Sequence, residues 1–219
     1  MSRPAAKDRI RDARQAMYRD HILDAAEEVF AENGYEAAKV QSVAAQAGVS
    51  LATLYGVFET KWDLYRAVHA RRTGALQEFI RERGDVPGDV LDRMLAGVSA
   101  YIEFHMTHRG YLRMHLREGH VWSTSSTLTA PEQVAAWESG LRYMAKAFAL
   151  GVKAGVFVDY ERPELMARTN LALSQVRLAD WVDRGMKESV EELNSAIHKQ
   201  FIRTFCRPEV VIARLGPKG

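Results

Sequence analysis

Cysteine is almost absent: Cys206 stands alone among 219 residues. No disulfide can form within the chain, and a reducing compartment is its natural setting. Proline is scarce too. Pro4, Pro87, Pro131, Pro163, Pro208 and Pro217 fall near expected helix ends, where a residue without an N–H is tolerated. No uninterrupted apolar run approaches the roughly 18 residues a membrane span needs. The opening stretch MSRPAAKDRIRDARQAMYRD has basic residues but no apolar core after them, which speaks against a secretory signal. Also missing are a convincing period-two hydrophobic run, an internal repeat and a low-complexity tract. No glycine loop of the phosphate-binding kind appears, no nucleophile beside a base, and no carboxylate pair of useful spacing. An all-α, cytoplasmic protein that is not an enzyme, carries no cofactor and meets no membrane is expected.

What is present is helical. The chain is 47% hydrophobic and 26% charged, enough to bury a core and too apolar for disorder. Its length allows one large domain or two modest ones. The net charge of +2 does not announce a polyanionic partner, but its distribution is uneven. Arg3, Lys7, Arg9, Arg11, Arg14 and Arg19 outnumber Asp8 and Asp12 over the first nineteen positions. A solvated tail and a phosphate-binding arm both fit that excess.

Ile22, Ala26, Val29 and Phe30 recur at helical spacing in a first helix that ends at Asn33-Gly34. Val40, Val43, Ala44 and Ala47 repeat the pattern in a short second helix. Gly48 supplies a left-handed corner, Val49 plugs the gap, and Ser50 caps a third helix running to Val57. Thr60-Lys61-Trp62-Asp63 reads as a capping box that starts a fourth helix carrying Leu64, Tyr65 and Val68 inward. Beyond GDVPG at 84–88 the helices lengthen, to about 89–108, 109–119, 131–154, 163–184 and 187–206. Gly185 turns the last two into a hairpin. A domain boundary is placed near residue 84, giving an N-terminal unit of 1–84 and a C-terminal unit of 85–219.

Two helices joined by a glycine-bearing turn are the helix-turn-helix arrangement, whose second helix enters the DNA major groove. Here Gln46 to Ser50 form the turn. Ser50, Leu51, Ala52 and Thr53 are small enough to let backbone approach a groove wall, and a helix N-terminus suits phosphate. Thr53 and Tyr55 offer hydroxyls and Lys61 a charge. Spacing alone leaves a plainer reading open, with Tyr55 packed against Phe58 and Lys61 solvated.

The wording is more specific. VQSVAAQAGVSLATLYGVFETKWDL resembles the DNA-binding segment of TetR-family transcriptional regulators, typified by IAxxAGVSxGTLYxYFxxKxxL. Val43-Ala44-Ala45, Ala47-Gly48-Val49-Ser50, Thr53-Leu54-Tyr55, Phe58, Lys61 and Leu64 match position by position. The resemblance covers about residues 15–70, and the rest agrees only in length and helical character. It implies an all-α chain with an N-terminal three-helix DNA-binding domain and a C-terminal helical domain for ligand binding and dimerisation. Such a homodimer binds a palindromic double-stranded DNA operator, most often as a repressor, and a small-molecule effector alters the spacing of its readers. Phosphate contacts fall to Thr53, Tyr55 and Lys61, with Ser50 at the helix start. Base or groove contacts fall to Gln41, Leu51, Ala52 and Gly56. Two departures stand out. Ala38-Lys39 replaces the usual hydroxyl cap of the second helix, leaving Lys39 as a substitute charge, and Gly56-Val57 weakens the end of the third.

The C-terminal half is less explicit. Leu165, Ala172, Val176 and Ala179 form one apolar row on the eighth helix, with Leu171, Leu178 and Trp181 beside it. Val190, Leu193, Ile197, Phe201 and Phe205 form another on the ninth. Apolar faces on more than one side suit burial against a partner as well as the subunit. Tyr101, Phe104, His108, Trp122, Trp137, Leu141, Met144 and Phe148 are candidate linings for an apolar or aromatic effector, with Asn170, Gln175 and Arg177 as orienting groups. Ordinary core packing explains any one of them equally well. His105, His108, His115 and His120 cluster within one stretch. A helical metalloprotein using His105, His108 and His115, with Glu118, is the enzymatic alternative, but Gly110 is expected to interrupt the helix and no metal site is assigned.

Overall fold

The computed structural model describes residues 6–117 and 131–217, with side chains from Ala16 onward except Glu132. Among these residues the helices are α1 Ala6–Ala37, α2 Val40–Gln46, α3 Leu51–Tyr55, α4 Lys61–Gly84, α5 Val90–Thr107, α6 Arg109–Arg117, α7 Pro131–Lys153, α8 Pro163–Asp183, α9 Val190–Phe205 and α10 Pro208–Leu215. Extended pairing among them is limited to one isolated antiparallel bridge, Phe157 to Cys206. Among the described residues no helix is long and apolar enough to cross a membrane. The stretch 118–130, with Glu118, His120 and Trp122, lies outside the described residues.

The chain forms two compact units, Met1–Arg72 with Gly110–Glu118, and Thr73–Arg109 with Gly119–Gly219. The division falls inside α4, between Arg72 and Thr73.

In the first unit, α1 is broken at Gly34, whose φ of 72° and ψ of 169° lie outside helical space. Only a residue without a Cβ takes that backbone cheaply. The break falls where the Asn33-Gly34 ending was expected. The helix starts far earlier than the apolar pattern shows, because the basic stretch from Ala6 is itself helical. Ile22, Ala26, Val29, Phe30, Val43, Leu54, Phe58, Leu64 and Val68 form the core. Tyr65 joins it edge-on to Phe30, with ring centres 5.3 Å apart. The carboxylate of Glu27 is buried and accepts from Arg72 Nε at 2.5 Å and Nη2 at 3.1 Å. Gly110 lies within α6 instead of ending a helix; the break falls at His108, with φ −101° and ψ 62°. The bare Gly110 backbone faces Glu27, whose Oε1 is 3.3 Å from where a Cβ would stand.

The second unit packs α7 on α8 and α9 on α5 and α8. Its core holds stacked and edge-on phenylalanines, with Phe148 5.1 Å from Phe157, 5.8 Å from Phe201 and 5.0 Å from Phe205 between ring centres. Gly185 has φ of 80° at the α8–α9 turn. There Ser189 and Glu192 form a capping box, each side chain bonded to the other's backbone N–H. The final helix α10 did not show in the apolar pattern. Its Arg214 reaches Asp89 Oδ2 and Asp92 Oδ1, both at 2.8 Å, at the capping box that opens α5.

Candidate nucleic-acid interface

Local chemistry explains how the α2–turn–α3 segment is built. Gly48 holds φ of 66° at the corner, and Val49 N–H bonds back to the carbonyl of Ala44 at 3.0 Å. Ser50 has extended backbone, and its Oγ accepts from Thr53 N–H at 3.0 Å. That bond satisfies one of the open donors at the start of α3. Ser50 Oγ also pairs with Thr53 Oγ1 at 2.8 Å. Leu54 and Phe58 anchor the segment below at 1% and 3% exposure. Leu51, Ala52, Tyr55 and Gly56 are left exposed, and Thr53 half-buried. Tyr55 points outward at 45% exposure, so the plainer reading, in which it packs on Phe58, does not describe it.

The third helix ends at Tyr55, two residues short of expectation. Gly56 caps it with ordinary right-handed backbone, and Val57 and Phe58 N–H both bond the carbonyl of Leu54 at 2.9 Å. Burial of Phe58 pulls the chain inward before another turn can form. Gly56 admits no side chain freely, since a Cβ would lie 3.3 Å from the Thr53 carbonyl.

Lys39 stands at the N-cap of α2 with no side-chain cap bond, as its replacement of a hydroxyl residue implied, and Lys39, Gln41 and Ser42 are exposed. Lys61 takes a place that spacing could not reveal. Its Nζ donates to the Glu36 carbonyl at 3.0 Å and lies 4.6 Å from the centre of the Tyr35 ring. The Thr60–Asp63 capping box is present, with Asp63 N–H on Thr60 Oγ1 at 3.0 Å and Thr60 N–H on Asp63 Oδ2 at 3.1 Å. The guanidinium of Arg19 covers Phe58 at 4.7 Å, a basic group beside the reader that periodicity did not single out.

The structure scatters the candidate effector residues within the second unit. Tyr101, Met144 and Asn170 share one cavity of about 80 Å³ among α4, α5, α7 and α8. Trp137 and Leu141 instead line a separate open groove of about 520 Å³ between α7 and the start of α8, with Arg168 stacked 5.7 Å from the Trp137 ring. Phe104 and Phe148 are core residues at 1% and 0% exposure, because their rings fill the space between helices. His108 caps α5, its Nδ1 2.8 Å from the Phe104 carbonyl. Gln175 is half-buried and outside the cavity, and Arg177 Nε bonds Gln200 Oε1 at 2.9 Å. Trp122 is not among the described residues.

His105 is buried with Nδ1 2.8 Å from the Tyr101 carbonyl, and burial holds its imidazole down to about 4. His115 lies in the first unit against Tyr111, ring centres 4.4 Å apart. Among the described residues no group of three histidine, cysteine or carboxylate side chains is placed to hold a metal ion.

Comparison with known proteins bears on the same segment. The family described as bacterial regulatory proteins, tetR family, matches residues 22–68, the span from α1 into α4. Over 86 residues the chain is 38% identical to the HTH-type transcriptional activator FasR of Mycolicibacterium smegmatis, covering 39% of each chain. Over 61 residues it is 41% identical to the fatty acid metabolism regulator protein of Bacillus subtilis, covering 28% of this chain and 31% of that one. The matched region thus spans well under half the length of either relative. In three dimensions the fatty acid degradation regulator FadR from Bacillus halodurans superposes with a TM-score of 0.72 at 22% identity, covering 84% of this chain and 98% of that one. The ketosteroid regulator KstR2 of Mycobacterium tuberculosis gives 0.71 at 17% identity, covering 86% and 95%. At those identities the likeness establishes the fold, while the N-terminal matches carry the family. Residues 22–68 thus match the tetR family of bacterial regulatory proteins, and both curated relatives that match in the N-terminal region are named as regulators.

Proposed function

We propose that the protein binds a palindromic DNA operator as a homodimer, acts as a repressor in the cytoplasm, and is released by a small, mostly apolar or aromatic effector. The observation that carries this reading is the start of α3. A serine-capped helix end is anchored from below by Leu54 and Phe58 while Leu51, Ala52 and Tyr55 stay open to solvent. Backbone N–H groups and hydroxyls at such an end suit phosphate, and small side chains admit close approach to base edges. Ser50, Thr53, Tyr55, Lys39 and Lys61 are assigned to the backbone of the duplex, and Gln41, Leu51, Ala52 and Gly56 to the groove.

The dimer reading is supported by α8. Its row Leu165, Ala172, Val176, Ala179 faces outward, with Leu165 39% and Val176 66% exposed, whereas Leu193, Ile197, Phe201 and Phe205 of α9 turn into the subunit's own core. An apolar row left open on one helix is suited to a second copy. The functional division is proposed as 1–84 for reading and 85–219 for effector binding and dimerisation, with α6 packed back onto the reader. Two relatives whose names refer to fatty acid regulation favour an apolar effector.

Footprinting across neighbouring promoters tests the reading. Two protected half-sites about one helical turn apart, or a multiple of it, are expected, and absence of protection at every salt concentration overturns it. A second reading, a DNA-binding dimer without effector, is favoured by the small size of the 80 Å³ cavity. A thermal-shift screen separates the two, since a ligand bound only by the native state raises the melting point.

A further inference from the structure

From Val40 to Phe58 the chain carries no charged residue, although 26% of all its residues are charged. That span holds α2, the turn and α3. The absence matters because bases in the major groove are told apart by side-chain type. Guanine is read chiefly by arginine or lysine, which donate to its O6 and N7, and cytosine by a carboxylate that accepts from its N4. Neither kind of reader is present in the span. The charges that flank it are Lys39, at the N-cap of α2, and Glu59, past the end of α3.

What remains to meet a groove is amide, hydroxyl and hydrocarbon. With Val43, Ala44 and Leu54 buried, the two helices expose Gln41, Ser42, Leu51, Ala52 and Tyr55. Hydrogen bonding divides the polar groups further. Gln46, also exposed, is committed, since its Nε2 donates to Glu28 Oε2 on α1. The hydroxyls of Ser50 and Thr53 are bonded to each other at 2.8 Å. The carboxamide of Gln41 is bonded to no described residue. Adenine offers the matching pair, a donor at N6 and an acceptor at N7, which one carboxamide bonds at once. Leu51 and Ala52 turn bare hydrocarbon outward, and the one methyl group that any base shows in the major groove belongs to thymine.

We propose that this reader selects A·T base pairs, with Gln41 bonding adenine at one position and Leu51 and Ala52 packing on thymine methyls at others. The assignment rests on the reading that α3 enters the major groove, and it names the sequences that the groove must hold. Guanine and cytosine are rejected at those positions without a clash. Their polar edges would give up water to meet hydrocarbon and would gain no partner. Selection thus comes from desolvation of the wrong base as well as from bonds to the right one.

The experiment uses the full chain and a pool of duplexes of randomised sequence, from which bound DNA is selected and sequenced. Each thymine of the selected half-site is then replaced singly by deoxyuridine, which pairs as thymine does but lacks the methyl. The parent, Gln41→Ala and a double variant with Leu51→Ser and Ala52→Ser are compared for melting temperature and for affinity to each duplex. All three positions are exposed, so the melts should nearly coincide. The half-site should hold A·T at its most constrained base pairs. At least one deoxyuridine should weaken the parent about fourfold, the worth of one buried methyl, and the double variant should no longer tell it from thymine. Gln41→Ala should relax the preference at one adenine by about tenfold and hold random duplex as the parent does. A half-site whose most constrained pairs are G·C overturns the assignment and leaves the regulator reading standing. So does a deoxyuridine series without effect, a double variant that still prefers thymine, or a Gln41→Ala variant that selects the parent's sequence unchanged. A G·C preference that vanishes in Lys39→Ala or Glu59→Ala overturns it as well, since a charge would then be the reader. If no duplex is enriched and none is bound, the assignment and the regulator reading fall together.

Discussion

Lys61, the first residue of α4, closes the end of α1: its ammonium is 3.0 Å from the Glu36 carbonyl oxygen and stands over the Tyr35 ring. An ammonium has three donors, so one bond to protein leaves two for a phosphate. Lys61→Ala should therefore act twice. Stability falls by about 1–2 kcal/mol from the lost backbone bond and ring contact, read by denaturant melts. Binding to all duplexes weakens alike and the salt slope falls by about 1. A lowered melt with an unchanged slope confines Lys61 to its structural role.

Ser50 separates capping from phosphate binding. Ser50→Ala removes the acceptor for Thr53 N–H and should cost about 1 kcal/mol. Ser50→Asp restores a cap, and holds stability near the parent, but sets a carboxylate against the duplex. Operator titration should then show the aspartate variant binding more weakly than the alanine variant. The reverse order removes the start of α3 from the phosphate path.

Tyr55 is exposed and bonded to no described residue. Tyr55→Phe should leave the melt within about 0.5 kcal/mol and weaken operator binding by about 1 kcal/mol, one hydrogen bond's worth. Equal affinity would take the hydroxyl out of the interface.

His105 makes the second unit sensitive to mild acid. Burial is the main cause of its low value of about 4, against 6.5 outside, with His108 adding to the shift and the Tyr101 carbonyl opposing it. The folded imidazole stays neutral while the unfolded one takes up a proton. Stability should thus fall as pH drops from 6.5 towards about 4 and stop falling through this group below that. His105→Gln should flatten that stretch of the melting profile.

Arg214 acts on the other side of the scale. Its hydrogen bond is the largest cause holding the Asp92 carboxyl below the ordinary 3.8. The contribution is present above 3.8 and lost as pH falls through the folded value. Arg214→Ala should melt lower than the parent at neutral pH, and the gap should narrow in stronger acid. A constant gap would mean that packing of α10, not charge, is responsible.

Local chemistry was legible; what depends on distant residues was not. The glycine corner, the Ser50 cap and the Thr60 box are written in adjacent letters, and so was the turn at Gly185. The early end of α3 was hidden because it depends on where Phe58 is pulled, a matter of the core of α1 and α4. The inward bond of Lys61 joins residues twenty-five positions apart, beyond any helical period. Aromatic content suggested an effector wall, yet Phe104 and Phe148 went to the core and Trp137 to another face. Size and apolarity do not say which side of a helix meets a void.

The first unit is completed by a helix borrowed from thirty-eight residues further along the chain, between Arg72 and Gly110. A protease nick in that intervening stretch would therefore leave the reader in two pieces, joined within the unit only by non-covalent contacts such as those of Glu27 with the Gly110 backbone. Limited digestion should release a non-covalent pair of fragments, and an expression clone stopped before α6 would lack one wall of its own core.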